Sequence, residues 1–381
     1  MNDPRSCHFH LGWELGEAQM TELFDKVYGC IAGAFVGSAM GAPVEGWEWR
    51  DIQAKYGVLQ ELLPYAHYRH LSKPGSGRAR PPGTTEDGVE RIKLLVLAIG
   101  EKEGRITAKD LGETWLKYID RDNFGVQMEP CDEVLYDIVA SGVHPAYAGL
   151  YSDYIGIVSF VRSCHPVGLV NACDPAGAYS DVFEVGRLYQ PLHGGGLDWA
   201  AAVACGIAEA TRPDSTVDSV IGAGRKVLPE GFRSGLDRAV DLARDSNDPF
   251  ELRERFDNIY SGRGIRYNLS MAEEIVPKGF SIFCVTDGSL RDSIIGGVNF
   301  GRDTDCCTAV AAGLAGAFSG ISNLPAEWIR QVDSATSQND YTVSKLSMKE
   351  MSQMIYEAVL SQKERTSRIL DEIDRLTKIS S

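Results

Sequence analysis

The feature that most constrains this chain is a stripe of glycines near its N-terminus. Within the segment 23–41 (LFDKVYGCIAGAFVGSAMG), Gly29, Gly33, Gly37 and Gly41 recur at every fourth position beside a separate apolar stripe. This spacing predicts a helix with two distinct faces. Each glycine costs a helix about 1 kcal/mol relative to alanine. A stripe of four therefore predicts that another backbone, or a ligand, packs directly against that face.

A stripe of small residues is also typical of membrane helices. Asp25, Lys26 and the shortness of the segment argue against a membrane span, and no run of about 18 apolar residues occurs elsewhere. Residues 1–22 carry charges throughout and lack an apolar run of signal-peptide length. We therefore expect a soluble, cytoplasmic protein that does not bind membranes, with an irregular extension at its N-terminus.

The charge balance bears on the choice of ligand. The chain has 53 acidic and 38 basic residues, for a formal net charge of -15. A negative field repels nucleic-acid phosphates and attracts divalent cations, so no nucleic-acid partner is expected. The nine cysteines are scattered and form no C-x-x-C pair, which predicts reduced thiols and no zinc site.

Helical periodicity dominates the remaining sequence, and alternating strand patterns are scarce. A helix starts near Thr84 and Thr85, and further helical patterns cover roughly 108–121, 131–142, 174–190, 198–211, 214–226, 249–260, 271–284, 287–298 and 303–319. No internal repeat or linker is evident. The sequence predicts a single all-α domain over residues 1–381.

Two segments have open interpretations. The Pro/Gly-rich loop from Tyr68 to Gly83 is locally basic, which predicts either a contact with a substrate phosphate or a solvated loop. Ser347 and Glu350 form a capping box that opens a long amphipathic helix over 347–379. That helix packs either on the body or on a second subunit, so a homo-oligomer is an open alternative.

Acidic residues stand at the start of two apolar helices. Thr85, Glu86 and Asp87 follow one Gly/Pro loop, and Asp303 and Asp305 follow Gly301. Taken singly, each group is typical of a helix cap. A third carboxylate, Glu45, follows the glycine-striped helix. Several carboxylates together are what Mg²⁺ or Mn²⁺ requires, so the three groups predict a metal site.

Three blocks of sequence carry a family resemblance. GCIAGAFVGSAMGAPVEGW (29–47), PPGTTEDGVERIKLLVLAI (81–99) and GVNFGRDTDCCTAVAAGLAGAFSG (297–320) occur in that order. They resemble the opening helix, the T-D-D-T helix start and the G-G-D-T-D-T signature of ADP-ribosylglycohydrolases, a family that includes dinitrogenase-reductase-activating glycohydrolases and ADP-ribosyl-acceptor hydrolases. The resemblance implies one compact all-α domain around a central metal site.

The resemblance also implies an activity and its residues. The family hydrolyses N- or O-glycosidic bonds of ADP-ribosylated or related ribosyl compounds, free or carried on proteins, with two Mg²⁺ or Mn²⁺ ions. In this chain we expect one or two. The implied metal ligands in this chain are Thr85, Glu86, Asp87, Asp303 and Asp305. The candidates for activating water, or for stabilising the positive charge that develops on the sugar, are Glu45, Glu86 and Asp87.

Four further residues are candidates for binding substrate. His165 and His193 stand beside turn residues, where each either contacts substrate or has a structural role. Asn171 lies in a middle region that is only loosely similar to the family, and Arg302 is adjacent to two expected metal ligands.

Several positions depart from the family pattern. Glu86 and Ser38 stand where Asp is usual, Gly88 where Thr is usual, Arg302 where Gly is usual, and Cys306 where Thr is usual. These departures motivate an alternative function, a catalytically weakened regulatory protein that binds ribosyl compounds or nucleotides on the same fold.

Overall fold

The computed structural model describes residues 21–66, 77–152, 155–260 and 270–377. Within those ranges the chain is all-α, as predicted, with one two-stranded antiparallel pair in which Tyr65–Ala66 (β1) meets Ala79–Arg80 (β2). The helices are α1 Glu22–Gly41, α2 Trp49–Tyr56, α3 Asp87–Lys102, α4 Ala108–Tyr118, α5 Asp132–Ala140, α6 His165–Val170, α7 Pro175–Val185, α8 Gly196–Ala210, α9 Val217–Val227, α10 Glu230–Arg244, α11 Pro249–Tyr260, α12 Ala272–Val285, α13 Leu290–Val298, α14 Thr304–Ser319, α15 Ala326–Ser337 and α16 Met348–Thr377. Short 3₁₀ segments cover Ala42–Val44, Arg121–Asn123, Pro145–Tyr151 and Gly186–Leu188.

The glycine stripe of α1 faces the backbone of α14. A Cβ atom on Gly33 would lie 2.4 Å from the carbonyl oxygen of Ala312, and one on Gly41 would lie 2.6 Å from Cα of Asp305. The contacts run in opposite directions along the two helices, so α1 and α14 are antiparallel. The stripe predicted that either another backbone or a ligand packs against it, and the structure shows the backbone of α14 in that place. The crossing also brings the C-terminal end of α1 to the N-terminal end of α14.

The helix α1 has nearly the predicted bounds, but together with the 3₁₀ turn that follows it is not too short to span a membrane, contrary to the expectation from the sequence. Glu22–Val44 is long and apolar enough to span a membrane by length and composition, but 89% of its most apolar stretch is buried inside the protein. Lys26 is buried as well, and its Nζ donates hydrogen bonds to the carbonyl oxygens of Ala210 and Arg212 at 2.9 and 3.0 Å. This helix therefore occupies the centre of the helical core, and Lys26 caps the end of α8.

Four helices were not among the predicted segments: α2, α6, α10 and α15. In α10 the buried residues Leu236, Ala239, Val240 and Ala243 have helical spacing. Gly231, Gly235 and many charged residues make that pattern weak in the sequence. The burial of one narrow face against the rest of the protein stabilises the helix.

The C-terminal helix α16 has two unlike halves. Its first turn is capped by Ser347 and Glu350, whose side chain accepts hydrogen bonds from the backbone N–H and the hydroxyl of Ser347. Met348, Met351, Ile355 and Ala358 are buried against the body. From residue 363 onward the helix is exposed, and it carries Ile369, Leu370, Ile373 and Leu376.

Candidate metal centre and active site

The ends of α1 and α14 are joined by backbone hydrogen bonds. The N–H of Gly46 donates to the carbonyl of Arg302 at 2.7 Å, and the N–H of Arg302 donates to the carbonyl of Trp47 at 2.6 Å. The hydroxyl of Thr304 donates to the carbonyl of Gly41 at 2.8 Å. These bonds hold the segment that carries Glu45 beside the segment that carries Asp303.

Asp303 and Asp305 are buried at the N-terminal end of α14, with 2% and 3% of their surfaces exposed. Asp303 is the N-cap, and one of its oxygens accepts a bond from the N–H of Cys306 at 3.3 Å. Oδ2 of Asp303 and Oδ1 of Asp305 have no hydrogen-bond donor in the part of the chain that the structure describes. A buried acceptor without a donor is costly, so these oxygens fit a cation.

The side chains of Asp303, Asp305 and Cys306 converge on one point, since their potential ligand atoms all lie within 4.8 Å of one another. Burial raises the pKa of the Cys306 thiol well above its usual value, and the negative charges of both aspartates add to this effect. A neutral thiol is a poor ligand for a hard cation. The two carboxylates are therefore the better ligands of this group.

The pKa of Asp305 is also raised well above its usual value. Burial is the largest cause, followed by the negative charges of Glu45 and Asp303. Like charges packed together in a region of low dielectric repel strongly. A divalent cation at this point would relieve that repulsion.

The start of α3 supplies the second group of acids. Glu86 is the N-cap of α3 and forms a salt bridge with Arg80 at 2.5 Å, and both side chains are 1% exposed. Its N–H donates to Oγ of Ser38 at 3.4 Å, which connects α3 to α1. The carbonyl of Thr85, also buried, accepts a bond from Nε2 of Gln127 at 2.8 Å.

Asp87 is paired with an arginine that the sequence analysis did not identify. Nη2 of Arg162 forms salt bridges with Asp87 and, at 2.9 Å, with Glu129. Nη1 of Arg162 donates to Sγ of Cys306 at 3.7 Å. Burial and the charge of Asp87 raise the pKa of Glu129 to about 7. Neither Arg162 nor Glu129 lies in the three family-like blocks, so no local motif pointed to them.

Glu45 completes the cluster and is only partly buried. The pKa of its carboxyl group is raised well above the usual value, first by burial of that group and then by the charges of Asp303, Glu86 and Asp87. The structure thus brings together the predicted carboxylates of all three blocks, and Thr85 adjoins Glu86 in the sequence. Their chemical roles stay predictions.

The four predicted substrate-binding residues occupy different environments. His165 is buried, with Nε2 at 3.0 Å from the carbonyl oxygen of Ala309, and burial lowers its pKa to about 4. The side-chain amide of Asn171 donates a hydrogen bond to Asp181 at 2.8 Å. His193 is exposed in the loop before α8. Arg302 forms a bidentate salt bridge with Glu274 at 2.7 and 3.0 Å. Arg302 is the member of this set that adjoins the acidic cluster. Substrate binding by the four stays a prediction.

The structure is a helical domain with a buried acidic cluster between the ends of its central helices, and carboxylates are ligands of the type that divalent cations prefer. A family model described as ADP-ribosylglycohydrolase matches residues 19–363. The chain belongs to the ADP-ribosylglycohydrolase family, which confirms the resemblance read from the sequence. Membership supports a hydrolase of the glycosidase type that acts on ADP-ribosyl compounds, and the family is metal-dependent.

Individual relatives agree with this assignment. The chain is 26% identical over 315 residues to ADP-ribosyl-[dinitrogen reductase] glycohydrolase of Rhodospirillum rubrum, covering 81% of this chain and 90% of that protein. It is 24% identical over 320 residues to an uncharacterized protein of Archaeoglobus fulgidus, covering 80% and 90%. A solved structure titled ADP-ribosylglycohydrolase-related protein complex has a similar fold, with a TM-score of 0.59 at 18% identity, covering 89% of this chain and 99% of that chain.

Proposed function

We propose that this protein is a Mg²⁺- or Mn²⁺-dependent hydrolase that cleaves the N- or O-glycosidic bond between an ADP-ribosyl group and its acceptor. The observation that carries the proposal is the pair of buried carboxylate oxygens, Oδ2 of Asp303 and Oδ1 of Asp305, which have no donor among the described residues. Two such oxygens beside Glu45, Glu86 and Asp87 form a site of hard oxygen ligands, the type that these cations prefer.

Asp303 and Asp305 are the ligands that best fit the cation. A bound Mg²⁺ or Mn²⁺ would supply Lewis acidity and orientation for the ribose oxygens. The buried carboxylates around it favour positive charge, which develops on the ribose ring as the glycosidic bond breaks. The acidic cluster therefore serves both to hold the cation and to stabilise the sugar in the transition state.

Glu45 is the carboxylate that we assign to the attacking water. Glu86 and Asp87 are almost fully buried and are each held in a salt bridge with an arginine. Such a pairing fixes the position of a carboxylate and occupies its oxygens. Glu45 is half-buried as a residue, which makes it the most accessible of the three candidates. In this role it accepts the proton of the water that attacks C1 of the ribose.

The acceptor is proposed from the relatives. The Rhodospirillum rubrum protein is named for an ADP-ribosylated protein, so an ADP-ribosylated protein side chain is the substrate class that we favour over a free ADP-ribosyl compound. We also propose a cytoplasmic location, with which the eight free cysteines of the described residues are compatible.

The test is a panel of ADP-ribosylated peptides that differ in the acceptor residue, together with free ADP-ribosyl compounds. Release of ADP-ribose is measured by chromatography with EDTA, Mg²⁺ or Mn²⁺ present. We expect metal-dependent release from at least one compound, and a loss of about 10²–10⁴-fold in kcat for Glu45→Gln. No release from any compound, in a protein that still binds ADP-ribose, would contradict the proposal and favour a regulatory binding protein.

A further inference from the structure

Two residues that depart from the family pattern adjoin one arginine from outside its motifs, beside the acidic cluster. The two residues are Gly88 and Cys306, and the arginine is Arg162. A Cβ atom on Gly88 would lie 2.9 Å from Cδ and 3.2 Å from Cγ of Arg162, so the stem of the arginine occupies the space that a larger residue at 88 would fill. The guanidinium of the same arginine reaches Sγ of Cys306 at 3.7 Å. The absence of a side chain at 88 thus admits the arginine.

The guanidinium is placed between acids on two different segments. Nη2 contacts both Asp87, at the start of α3, and Glu129, in the loop before α5, the latter at 2.9 Å. Arg162 is 9% exposed and Asp87 is 3% exposed. A buried arginine that bridges two carboxylates supplies a fixed positive charge with directed hydrogen bonds. A divalent cation between acidic ligands likewise neutralises them and holds them together.

We propose that the guanidinium of Arg162 takes the place of a second divalent cation, so that this protein binds a single Mg²⁺ or Mn²⁺ ion, at Asp303 and Asp305. The inference rests on the proposed function, because it concerns the metal that the proposed reaction uses. The inference goes beyond that function in two respects. It assigns to Arg162 the positive charge that balances Asp87 and Glu129, which the family resemblance did not predict, and it sets the number of bound metal ions at one.

The distribution of charge supports a single ion. Glu86 is neutralised by Arg80, and Asp87 and Glu129 share Arg162. Asp303 and Asp305 have no salt-bridge partner among the described residues, and each keeps one oxygen without a donor. Arginine side chains therefore already balance the carboxylates at the start of α3, whereas the carboxylates at the start of α14 have no such partner among the described residues. Arg162 and a second ion on Asp87 would also repel each other.

The experiment counts bound Mn²⁺ per chain. The purified protein is stripped with EDTA, equilibrated with excess Mn²⁺ and desalted, and the metal is then measured by mass spectrometry and by electron paramagnetic resonance, which distinguishes isolated Mn²⁺ from coupled pairs. We expect one isolated Mn²⁺ in the wild type and two coupled ions in Arg162→Met, which keeps the aliphatic stem and removes the charge. Arg162→Lys retains a positive charge and should stay at one ion.

Stability provides a second readout that does not depend on activity. In EDTA, Arg162→Met leaves the buried Asp87 and the half-buried Glu129 without their cation, so the variant should melt below the wild type. Saturating Mn²⁺ should close that difference, because the second ion replaces the guanidinium. Arg121→Ala is the matched control, since it removes an exposed guanidinium that pairs with Asp137 and should leave the ion count at one.

A second variant covers the case in which Arg162→Met does not fold. Gly88→Thr keeps Arg162 but pushes a side chain into its stem, and it should also raise the ion count from one to two. Two ions in the wild type would overturn the inference and leave the proposed metal dependence intact. A count of one in all folded variants would overturn it as well. No ion in the wild type would overturn the proposed metal dependence together with the inference.

Discussion

Gly29 and Gly316 are in direct backbone contact where α1 crosses α14: a Cβ atom on Gly316 would lie 2.0 Å from the carbonyl oxygen of Gly29. The neighbours are backbone atoms of two central helices, which cannot move independently of the core. We expect Gly316→Ala to lower the free energy of unfolding by about 1–3 kcal/mol or more, because it overpacks the contact. Urea denaturation followed by circular dichroism measures the change.

The matched control is Gly222→Ala in α9. Gly222 is exposed, and a Cβ atom there would meet nothing within 4 Å. Alanine is the better helix former, so this variant should gain about 0.5–1 kcal/mol. If both substitutions changed stability in the same direction, close packing would not be the reason for the stripe.

Metal should stabilise the protein through α14. We expect Mn²⁺ to raise the melting temperature of the wild type, since ligands that bind the native state stabilise it. Asp303→Asn with Asp305→Asn should abolish that rise, because the variant replaces both ligands with neutral amides. Differential scanning fluorimetry with and without EDTA measures the effect.

The control is Asp340→Asn, at an exposed position paired with Lys345. Its melting temperature should respond to Mn²⁺ like that of the wild type. An equal response from the double variant would exclude Asp303 and Asp305 as ligands.

His165 should make stability depend on pH. Its pKa is lowered from 6.5 to about 4 by burial, so the folded protein keeps the imidazole neutral while the unfolded chain takes up a proton below about pH 6.5. This contribution to stability is complete above pH 6.5 and is lost as the pH falls toward 4, at a cost of about 3 kcal/mol. The variant His165→Gln lacks this pH-dependent contribution. The difference in free energy of unfolding between wild type and variant should therefore shrink as the pH is lowered from 7 to 4. Parallel denaturation profiles would contradict the assignment.

Truncations should separate the two halves of α16. A chain that ends at residue 365 keeps all buried residues of the helix and should melt within about 2 °C of the full chain. A chain that ends at residue 347 loses Met348, Met351, Ile355 and Ala358, and the loss of such burial costs about 1.5–3 kcal/mol for each large side chain. We expect the shorter chain to lose cooperative unfolding. Equal melting of the two truncated chains would show that the buried half contributes nothing to the fold.

Much of the architecture follows from local sequence patterns. The glycine stripe predicted a close backbone neighbour, the three blocks predicted the family, and the caps at Ser347 and Asp303 marked helix starts that the structure places within one residue. These features depend on residues three or four positions apart, where periodicity and capping rules apply. The weakly patterned helix α10 shows the limit, because its stability comes from packing rather than from its own composition.

The charges that balance the acidic cluster were not predictable in this way. The sequence places Arg80 in a basic loop, which predicts contact with a phosphate or with solvent, but in the structure Arg80 is buried against Glu86. Arg162 lies 75 residues from Asp87 in the sequence, and no motif surrounds it. A salt bridge between distant segments depends on how the helices pack, and a single sequence does not record that geometry.

The join between Thr304 and Gly41 spans 263 residues of sequence. During synthesis, α1 emerges with its glycines uncovered, and the helix that covers them begins only 263 residues beyond Gly41. Glu45 and Glu86 are made long before Asp303 and Asp305. The nascent chain therefore cannot assemble its acidic cluster until α14 has been made, and a product interrupted before that point would expose the α1 surface while lacking the cluster.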